Sequence, residues 1–301
     1  MTQPRITVQL CTYNRRALLG RVMAALFDQD LDPDAFEIVL VDDGSNDGTY
    51  EEVIAKLRPP CALHVVRQSN AGLAHGRNVG IARARGDIVM FTDDDVLATP
   101  GLLSAHLRFH QMHARCICRG GVINVESFGS LPAARYGLRN YSGAYFWTTN
   151  VSVPLALLLE AGGFDERFRE YGWEDLELGY RLRRMGVRSV LAKNALVYHH
   201  KPAPNPEQFE SMRGQARAQA RTALAFLAKH PHWRIALATG QLAPQMWWSA
   251  LLRALGWPRL LRRLADGDPR TGDRPARLQR WAAARLARAA YFEELAKGRR
   301  G

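Results

Sequence analysis

The first 95 residues alternate between short apolar runs and segments with helical character, and this alternation constrains the fold more than any other feature. The apolar runs are ITVQL (6–10), FEIVLV (36–41), LHVV (63–66) and the start of IVMFTDDDVL (88–97). A strand-like run followed by a helix-like segment, repeated in order, is typical of βα units whose strands pair in parallel. The sequence therefore predicts an α/β fold with a mostly parallel central sheet.

The segments between these runs show the spacing and the end signals of helices. After the first run, RRALLGRVMAALFDQD places its apolar residues at helical intervals, and Pro33 limits the segment. Thr49 and Glu52 have the spacing of a capping box, which predicts a helix after the turn DDGSNDGT. A glycine-punctuated helix, NAGLAHGRNVGIARARG, precedes the fourth run. Four βα units are thus expected.

Three consecutive aspartates, Asp93 to Asp95, follow the fourth run. Because side chains alternate along a strand, Asp93 and Asp95 are predicted to share one face and Asp94 to point the other way. Two carboxylates aimed in one direction suit a hard divalent cation, which prefers oxygen ligands. A solvated acidic turn after the strand is the alternative, and the run alone leaves it open.

Polar residues stand at the ends of the other predicted strands, where ligands of open parallel sheets bind. CTYNR (11–15) ends the first strand, Asp42 and Asp43 end the second, and the helix before the fourth carries Arg77 and Asn78. The sequence has neither a G-x-G-x-x-G directly after a strand nor a Gly-Lys-Ser/Thr phosphate loop. Phosphate is therefore expected to be held through a cation rather than by a glycine cradle.

A second acidic cluster opens a predicted helix in EYGWEDLELGYRLRRMG (170–186). A helical wheel places Glu174 and Asp175 beside the apolar face of this helix and Glu177 on the opposite side. The helix dipole favours a charged carboxylate in the first turn, and a general base must be charged before it acts. Ordinary helix capping is the alternative.

Seven segments of the chain, taken in order, resemble sequence blocks of the family 2 glycosyltransferases with the GT-A fold. They are CTYNR, VDDGSNDGT, NAGLAHGRNVGI, GDIVMFTDDDV, GGFDERF, GWEDLELGYRL and VYHH, and they span residues 5–200. The resemblance implies a GT-A nucleotide-sugar-binding fold and an inverting transfer of a sugar from a nucleotide-diphosphate sugar to an acceptor hydroxyl. It also implies Mn²⁺ or Mg²⁺ as the cofactor, a UDP-sugar as the donor, and a glycan or lipid-linked acceptor.

The same resemblance implies roles for individual residues. For the metal ion it implies Asp93, Asp95 and His199, with His200 as the alternative to His199. For the nucleotide sugar it implies Thr12, Tyr13, Asn14, Asp42, Asp43, Arg77, Asn78, Asp93 and Asp94. In the WED block it implies Asp175 as the catalytic base, Glu174 as a second catalytic carboxylate, and Trp173 with Glu174 as acceptor ligands.

The charge of the chain is concentrated in its last third. Residues 1–200 hold 22 basic and 22 acidic residues, whereas residues 201–301 hold 19 and 7. The predicted domains are a catalytic domain, 1–204, and a basic α-helical extension, 205–301. The catalytic domain divides into a nucleotide-sugar-binding half, 1–100, and an acceptor-binding half, 101–204. Tryptophans and arginines between 233 and 263 are typical of a segment at an anionic membrane surface, with packing on the catalytic domain as the alternative.

The expected location is the cytoplasm, and peripheral attachment to the inner face of the cell membrane is the narrower expectation. The chain begins without the apolar segment of a signal peptide, and its four cysteines lack the spacing of a disulfide framework. The expected role is the synthesis of cell-envelope or polysaccharide glycans. Two other functions stay open: a catalytically idle nucleotide-sugar-binding scaffold, and a nucleic-acid-binding protein. The balanced charge of residues 1–200 argues against nucleic-acid binding. No nucleic-acid partner is expected.

Overall fold

A computed structural model describes residues 3–137, 140, 142–265 and 276–299 of the 301 residues. The chain divides into two compact units. The first, which we call the sheet unit, comprises Met1–Arg169 and Glu174–Pro202; the second, the helical unit, comprises Glu170–Trp173 and Ala203–Gly301. The short segment Glu170–Trp173 therefore belongs with the helical unit, although the predicted boundary lies after residue 204. Residues 266–275, 300 and 301 of the predicted extension lie outside the described residues.

The described part of the sheet unit contains one eight-stranded sheet. Its strands are β1 (Ile6–Thr12), β2 (Phe36–Asp42), β3 (Ala62–Arg67), β4 (Ile88–Asp93), β5 (Val96–Ala98), β6 (Cys116–Val125), β7 (Asn150–Pro154) and β8 (Arg188–His200). Their order is β3-β2-β1-β4-β7-β6-β8-β5. Strands β1 to β4 pair in parallel, as do β6 and β8, whereas β7 is antiparallel to both of its neighbours and β5 to β8. The predicted α/β class is confirmed, with a sheet that is parallel in its first half and mixed beyond it.

Helices cover both faces of this sheet. They are α1 (Arg16–Phe27), α2 (Leu73–Ile81), α3 (Leu102–Met112), α4 (Leu155–Ala161) and α5 (Glu174–Arg184). Ile88 and Met90 of β4 pack into the apolar cluster that includes α1 and α3, while Val89 and Phe91 pack into the cluster that includes α4 and α5. A strand buried on both faces reads as a continuous apolar run, which explains the sequence that precedes the aspartates.

A helical segment does follow the turn after β2, but the capping box predicted from Thr49 and Glu52 is wrong. The segment is one π-helical turn, Thr49–Val53, followed by one 3-10 turn, Ile54–Lys56, rather than an α-helix. The hydroxyl of Thr49 donates to a carboxylate oxygen of Asp47 and accepts from the N–H of Arg15 at 2.9 Å. Because these contacts occupy the hydroxyl, it does not cap a helix. The spacing of Thr49 and Glu52 alone could not reveal these contacts.

The helical unit confirms the predicted helical extension in its described residues. Its helices are α6 (Phe209–Lys229), α7 (Trp233–Ala238), α8 (Ala243–Ala254), α9 (Trp257–Ala265) and α10 (Ala276–Gly298). Small residues let α6 and α10 approach closely, since Ala220 and Ala223 are buried against Phe292 and Leu295. Within the part of the chain that the structure describes, none of the helices has both the length and the apolar character needed to cross a membrane.

Candidate functional site

The predicted turn CTYNR and the three aspartates meet where β1 and β4 end. The two strands pair in parallel with Cys11 opposite Asp93, so the residues that follow each strand lie side by side. Thr12 Oγ1 donates to Asp94 Oδ2 at 2.9 Å, and Arg15 Nε donates to Asp94 Oδ1 at 3.0 Å. Burial raises the pKa of Asp94 to about 6, against the opposing charge of Arg15. Asp94 therefore ties the two strand ends together. Sequence reasoning missed Arg15, although it closes the CTYNR block.

Tyr13 and Asn14, the next two residues of this turn, differ in what they offer a ligand. The side chain of Tyr13 is largely exposed, and its ring is free to stack on a nucleotide base. Asn14 adopts a left-handed φ of 54°, which asparagine tolerates better than most residues. Its N–H donates to Ser45 Oγ at 2.9 Å, and its Oδ1 accepts from the N–H of Asn46 at 2.9 Å. Asn14 thus joins the turn after β1 to the turn after β2.

Asp42 and Asp43, at the end of β2, are both buried. Asp42 is fully enclosed, and its Oδ2 lies 3.6 Å from Arg67 Nε. The carboxylate of Asp43 accepts hydrogen bonds from the N–H groups of Ala71 at 2.9 Å and Gly72 at 3.0 Å. Asp43 thereby fixes the loop between β3 and α2, a use that its place in the sequence did not reveal.

Asp93 and Asp95 are partly exposed, whereas Asp94 between them is buried. This is the alternation expected of a strand, although β4 itself ends at Asp93. Asp93 Oδ2 accepts from Thr149 Oγ1 at 2.7 Å, and Asp95 Oδ2 accepts from Arg15 Nη2 at 3.3 Å. Burial and the neighbouring charge of Asp93 raise the pKa of Asp95. A cation at this position would relieve that repulsion.

His199 reaches the same cluster from β8. Its Nε2 lies 3.6 Å from Asp95 Oδ1, and its Nδ1 lies 3.0 Å from Asn124 Oδ1 on β6. Because the amide oxygen of Asn124 can only accept, Nδ1 carries the hydrogen and the lone pair of Nε2 faces Asp95. The ring of His200 instead packs on Phe128, with centroids 5.3 Å apart. Of the two histidines that the sequence left as alternatives, His199 brings a ring nitrogen to the carboxylate of Asp95, whereas His200 contacts Asp95 through its backbone N–H, which donates to the carbonyl oxygen at 2.8 Å.

The donor atoms at this position fit a divalent cation. Among the described residues, no group of three or more His, Cys, Asp or Glu side chains is close enough to form a metal site as it stands. Asp95 Oδ1 and the Nε2 lone pair of His199 nevertheless face each other with no hydrogen between them, and Asp93 adds negative charge nearby. Two protein ligands with free coordination positions are what a metal that also binds a diphosphate requires.

Arg77, on α2, connects the two acidic clusters of the sheet unit. The side chain is buried, and its Nη1 donates to Glu174 Oε1 at 2.7 Å. Its Nη2 donates to Thr148 Oγ1 at 2.8 Å and lies 3.5 Å from Asp93 Oδ1. The contact of Arg77 with nucleotide phosphates stays a prediction. Its pairing with Glu174, 97 residues away in sequence, was missed because no local pattern carries it.

Asp175 lies beside this ion pair at the start of α5. Burial and the charge of Glu174 raise its pKa to about 7, and the charge of Arg77 opposes that shift. The expectation that the helix start keeps this carboxylate readily ionised is therefore wrong in direction, because burial outweighs the dipole. A carboxylate with a pKa near neutrality is well matched to proton transfer at neutral pH.

Glu177 and Asn78 hold the loop after α4. The sequence placed Glu177 wrongly and did not predict this contact for Asn78. Glu177 was expected on the exposed face of α5, but it is buried and pairs with Arg181 at 2.8 Å. Arg181 in turn donates to the carbonyl oxygen of Gly163 at 2.7 Å. Asn78 Nδ2 donates to the carbonyl oxygen of Phe164 at 2.9 Å, and its Oδ1 accepts from the N–H of Phe164 at 2.8 Å. Glu177 and Asn78 both fix this loop.

Trp173, the predicted acceptor ligand, belongs to the helical unit. Its indole Nε1 donates to the carbonyl oxygen of Gln219 on α6 at 2.9 Å. Its backbone has a φ of 72°, a left-handed conformation that a bulky residue adopts only when its surroundings enforce it. The residue that follows it in the chain is Glu174.

Residues 7–154 match the family model described as Glycosyl transferase family 2. The chain is 29% identical to the validoxylamine A glucosyltransferase of Streptomyces hygroscopicus subsp. limoneus, over 84% of this chain and 60% of that protein. It is 24% identical to the chondroitin synthase of Escherichia coli, over 70% of this chain and 37% of that protein. The chain thus spans less than two thirds of the length of either relative.

Two solved structures show the likeness of fold. The mannosyltransferase PcManGT from Pyrobaculum calidifontis, in complex with GDP-Man and Mn²⁺, has a TM-score of 0.64 and 22% identity, over 98% of this chain and 88% of that one. The S. aureus TarS fragment 1-349, in complex with UDP, has a TM-score of 0.58 and 21% identity, over 99% of this chain and 92% of that one. The predicted GT-A fold is confirmed by this likeness.

Proposed function

Because residues 7–154 match the family model of glycosyl transferase family 2, we propose that this protein is a metal-dependent inverting glycosyltransferase that moves a sugar from a nucleotide-diphosphate sugar to an acceptor hydroxyl. One observation carries the proposal. Arg77 holds Glu174 at 2.7 Å and lies 3.5 Å from Asp93, so one buried cation connects the cluster suited to a metal with the cluster suited to a base. The leaving group and the nucleophile of a displacement need those two functions near each other.

On the donor side, Asp93, Asp95 and His199 would hold Mn²⁺ or Mg²⁺. When bound, such an ion neutralises negative charge on the departing nucleoside diphosphate. Asn124 keeps the hydrogen of His199 on Nδ1, so that Nε2 stays available to a metal. Thr149 and Arg77 keep the carboxylate of Asp93 turned toward this cluster.

On the acceptor side, Asp175 takes the proton of the attacking hydroxyl. Its raised pKa makes it a strong enough base near neutral pH, and the charge of Glu174 contributes to that rise. Glu174 stays paired with Arg77, which leaves Asp175 as the carboxylate free to accept the proton. A single displacement from the face opposite the leaving diphosphate inverts the anomeric carbon.

The nucleotide is proposed to lie beyond the ends of β1 and β2. Tyr13 offers an exposed ring for the base, and Thr12 and Asp43 frame the same edge. Asp42, Asp94, Arg77 and Asn78 are assigned a positioning role, because their polar groups contact the protein. We propose a UDP-sugar as the donor, while the similar structures contain UDP in one case and GDP-Man in the other.

The test is release of nucleoside diphosphate from separate UDP- and GDP-sugars, with and without Mn²⁺. We expect Mn²⁺-stimulated release from a UDP-sugar, and Asp95→Asn should abolish the stimulation because the amide lacks the charge that holds the ion. Asp87→Asn is the matched control, since Asp87 is exposed just before the opposite end of β4. If nucleoside diphosphate is released only from GDP-sugars, the donor is a GDP-sugar and the proposed UDP-sugar is wrong. If Mn²⁺ stimulates Asp95→Asn as strongly as it stimulates the unaltered protein, Asp95 is not a metal ligand.

We also propose that the helical unit attaches to an anionic phospholipid surface, which would suit a lipid-linked or envelope-glycan acceptor. Trp247, Trp248, Leu251 and Leu255, on and just after α8, are large apolar residues that remain exposed. The following helix, α9, is strongly amphipathic and carries arginines on its exposed side. Exposed tryptophan and leucine beside arginine is the composition of a segment that lies at the headgroup level.

Sedimentation with liposomes tests this attachment. We expect binding to vesicles that contain phosphatidylserine at low salt, weaker binding as salt screens the arginines, and none to pure phosphatidylcholine. Replacing Trp247 and Trp248 with serine should reduce binding, while Met112→Ser, which removes an equally exposed apolar residue from α3, should not. If the unaltered protein stays in the supernatant with anionic vesicles at low salt, the attachment is wrong.

A further inference from the structure

The helical unit contains a cavity that the proposed chemistry does not use. Its volume is about 520 Å³, within the range of about 300 to 1,000 Å³ found for small-molecule sites. Its wall is built from the segment before α5, from α6, from the turn between α7 and α8, and from α10. Residues far apart in sequence therefore converge on one concave surface.

The wall combines aromatic rings with uncharged hydrogen-bonding groups. The rings belong to Tyr171, Trp173, Tyr291 and Phe292, and the amides to Gln215, Gln219 and Gln245. Arg288 is the charged side chain among the described residues of the wall. Aromatic faces pack against the C–H faces of a sugar ring, while amide and guanidinium groups bond its hydroxyls. The chemistry of this wall matches a neutral saccharide.

Trp173 is held rigidly in this wall. Its left-handed backbone is strained for a bulky residue, and the surrounding structure must offset that strain. The hydrogen bond from its indole N–H to Gln219 and the packing of its ring on Phe226, with centroids 6.5 Å apart, fix the side chain. A ring fixed before a ligand arrives loses little entropy on binding, which favours affinity.

The position of Trp173 in the chain links this cavity to catalysis. Trp173 and Glu174 are consecutive, so their Cα atoms lie about 3.8 Å apart whatever the arrangement of the two units. The cavity therefore includes the residue that directly precedes the acidic pair Glu174 and Asp175 in the chain. An acceptor must come near this pair to lose its proton.

We propose that the cavity binds a sugar unit of a saccharide acceptor, one or more residues away from the hydroxyl that reacts. The inference rests on the proposed transferase function and names the substrate class of the same site. A phosphate group fits the cavity less well than a sugar does, because Arg288 is the one cation among the described wall residues. An acyl chain would remove water from the side-chain amides of Gln215 and Gln219 without replacing their hydrogen bonds, whereas the amide of Gln245 already bonds the backbone of Leu237 and Leu242.

The experiment titrates the unaltered 301-residue chain with three neutral trisaccharides, maltotriose, cellotriose and N-acetylchitotriose, by calorimetry. The test variants are Arg288→Ala and Gln215→Ala, whose side chains line the cavity. The matched control is Arg285→Ala, since Arg285 lies three residues earlier on α10, is exposed, and packs over Trp281 outside the cavity. Release of UDP from the donor into water is measured in parallel for every variant.

We expect at least one trisaccharide to bind, each test variant to bind it about tenfold more weakly, and the control to bind as the unaltered protein does. UDP release should be the same in all four proteins. If none of the trisaccharides binds, or if Arg288→Ala and Arg285→Ala bind equally, the cavity is not a saccharide site even when UDP is released. If a trisaccharide binds through Arg288 but no donor is cleaved, the cavity assignment to an acceptor fails together with the transferase.

Discussion

The acidic cluster after β4 and the one at the start of α5 contain the same kind of side chain but balance its charge differently. Asp95 pairs with Arg15, which is 42% exposed, and one of its oxygens faces the lone pair of His199. Glu174 pairs with Arg77, which is 6% exposed, and Glu174 Oε2 lies buried without a hydrogen-bond partner among the described residues. The partly exposed Arg15 leaves room for a cation beside Asp95. At the start of α5, burial and the charge of Glu174 raise the proton affinity of Asp175, and the charge of Arg77 only partly opposes that rise.

Substitution of the proposed base, Asp175, should have the largest effect, and it tests whether the cluster at the start of α5 acts on the acceptor. Asp175→Asn is expected to lower the transfer rate by about two to four orders of magnitude, the usual contribution of a general base. Donor and metal binding should remain, because the amide keeps the shape of the carboxylate. Steady-state rates and donor calorimetry on the same sample check this. A parallel loss of donor binding would make Asp175 a structural residue.

Removing the shared cation should have the next largest effect. Arg77→Met leaves Glu174 and Asp93 without their buried partner and is expected to lower the free energy of unfolding by about 3 to 5 kcal/mol. Urea denaturation monitored by circular dichroism measures this. Adding Glu174→Gln to Arg77→Met should recover much of the stability, because it removes the uncompensated charge. If the double variant is no more stable than Arg77→Met, the Arg77–Glu174 pair does not carry the stabilisation.

The pH dependence of the melting temperature should show a smaller effect, and it tests whether Asp175 is buried as its raised pKa implies. The folded pKa of Asp175 lies above its unfolded value, so the folded state binds the proton more tightly. Its contribution to stability is therefore present at low pH and is lost as pH rises from about 4 to about 7. Asp175→Asn should then melt several degrees above the unaltered protein at pH 8 and at nearly the same temperature at pH 4. Equal melting temperatures at both pH values would place Asp175 in a solvated environment.

The smallest expected effect concerns the donor side. Asn124→Leu removes the acceptor that keeps the hydrogen of His199 on Nδ1, and it should weaken Mn²⁺ binding by about tenfold. Calorimetry with Mn²⁺ alone measures this without any turnover. Asn205→Leu serves as the control, since Asn205 is an exposed asparagine outside the sheet unit. Unchanged affinity in Asn124→Leu would mean that His199 contributes no ligand.

Strand periodicity predicted much of the fold and part of the site. The four apolar runs became β1 to β4, and the alternation of Asp93, Asp94 and Asp95 between exposed and buried positions agrees with the strand pattern. The capping box at Thr49 and the exposed position of Glu177 were wrong. In both cases a distant group altered the outcome: Arg15 contacts Thr49, and Arg181 draws Glu177 into the interior.

The sequence by itself determined the α/β class, the parallel first half of the sheet and the acidic and aromatic residues from which a site can be built, because these depend on periodicities of two to four residues. The tertiary structure alone decided that Arg77 meets Glu174 across 97 residues, that His199 rather than His200 faces Asp95, and that Asp175 has a raised pKa. Such properties depend on which groups share an enclosed, poorly solvated space. Chain folding decides that sharing, and residues near in sequence do not reveal it.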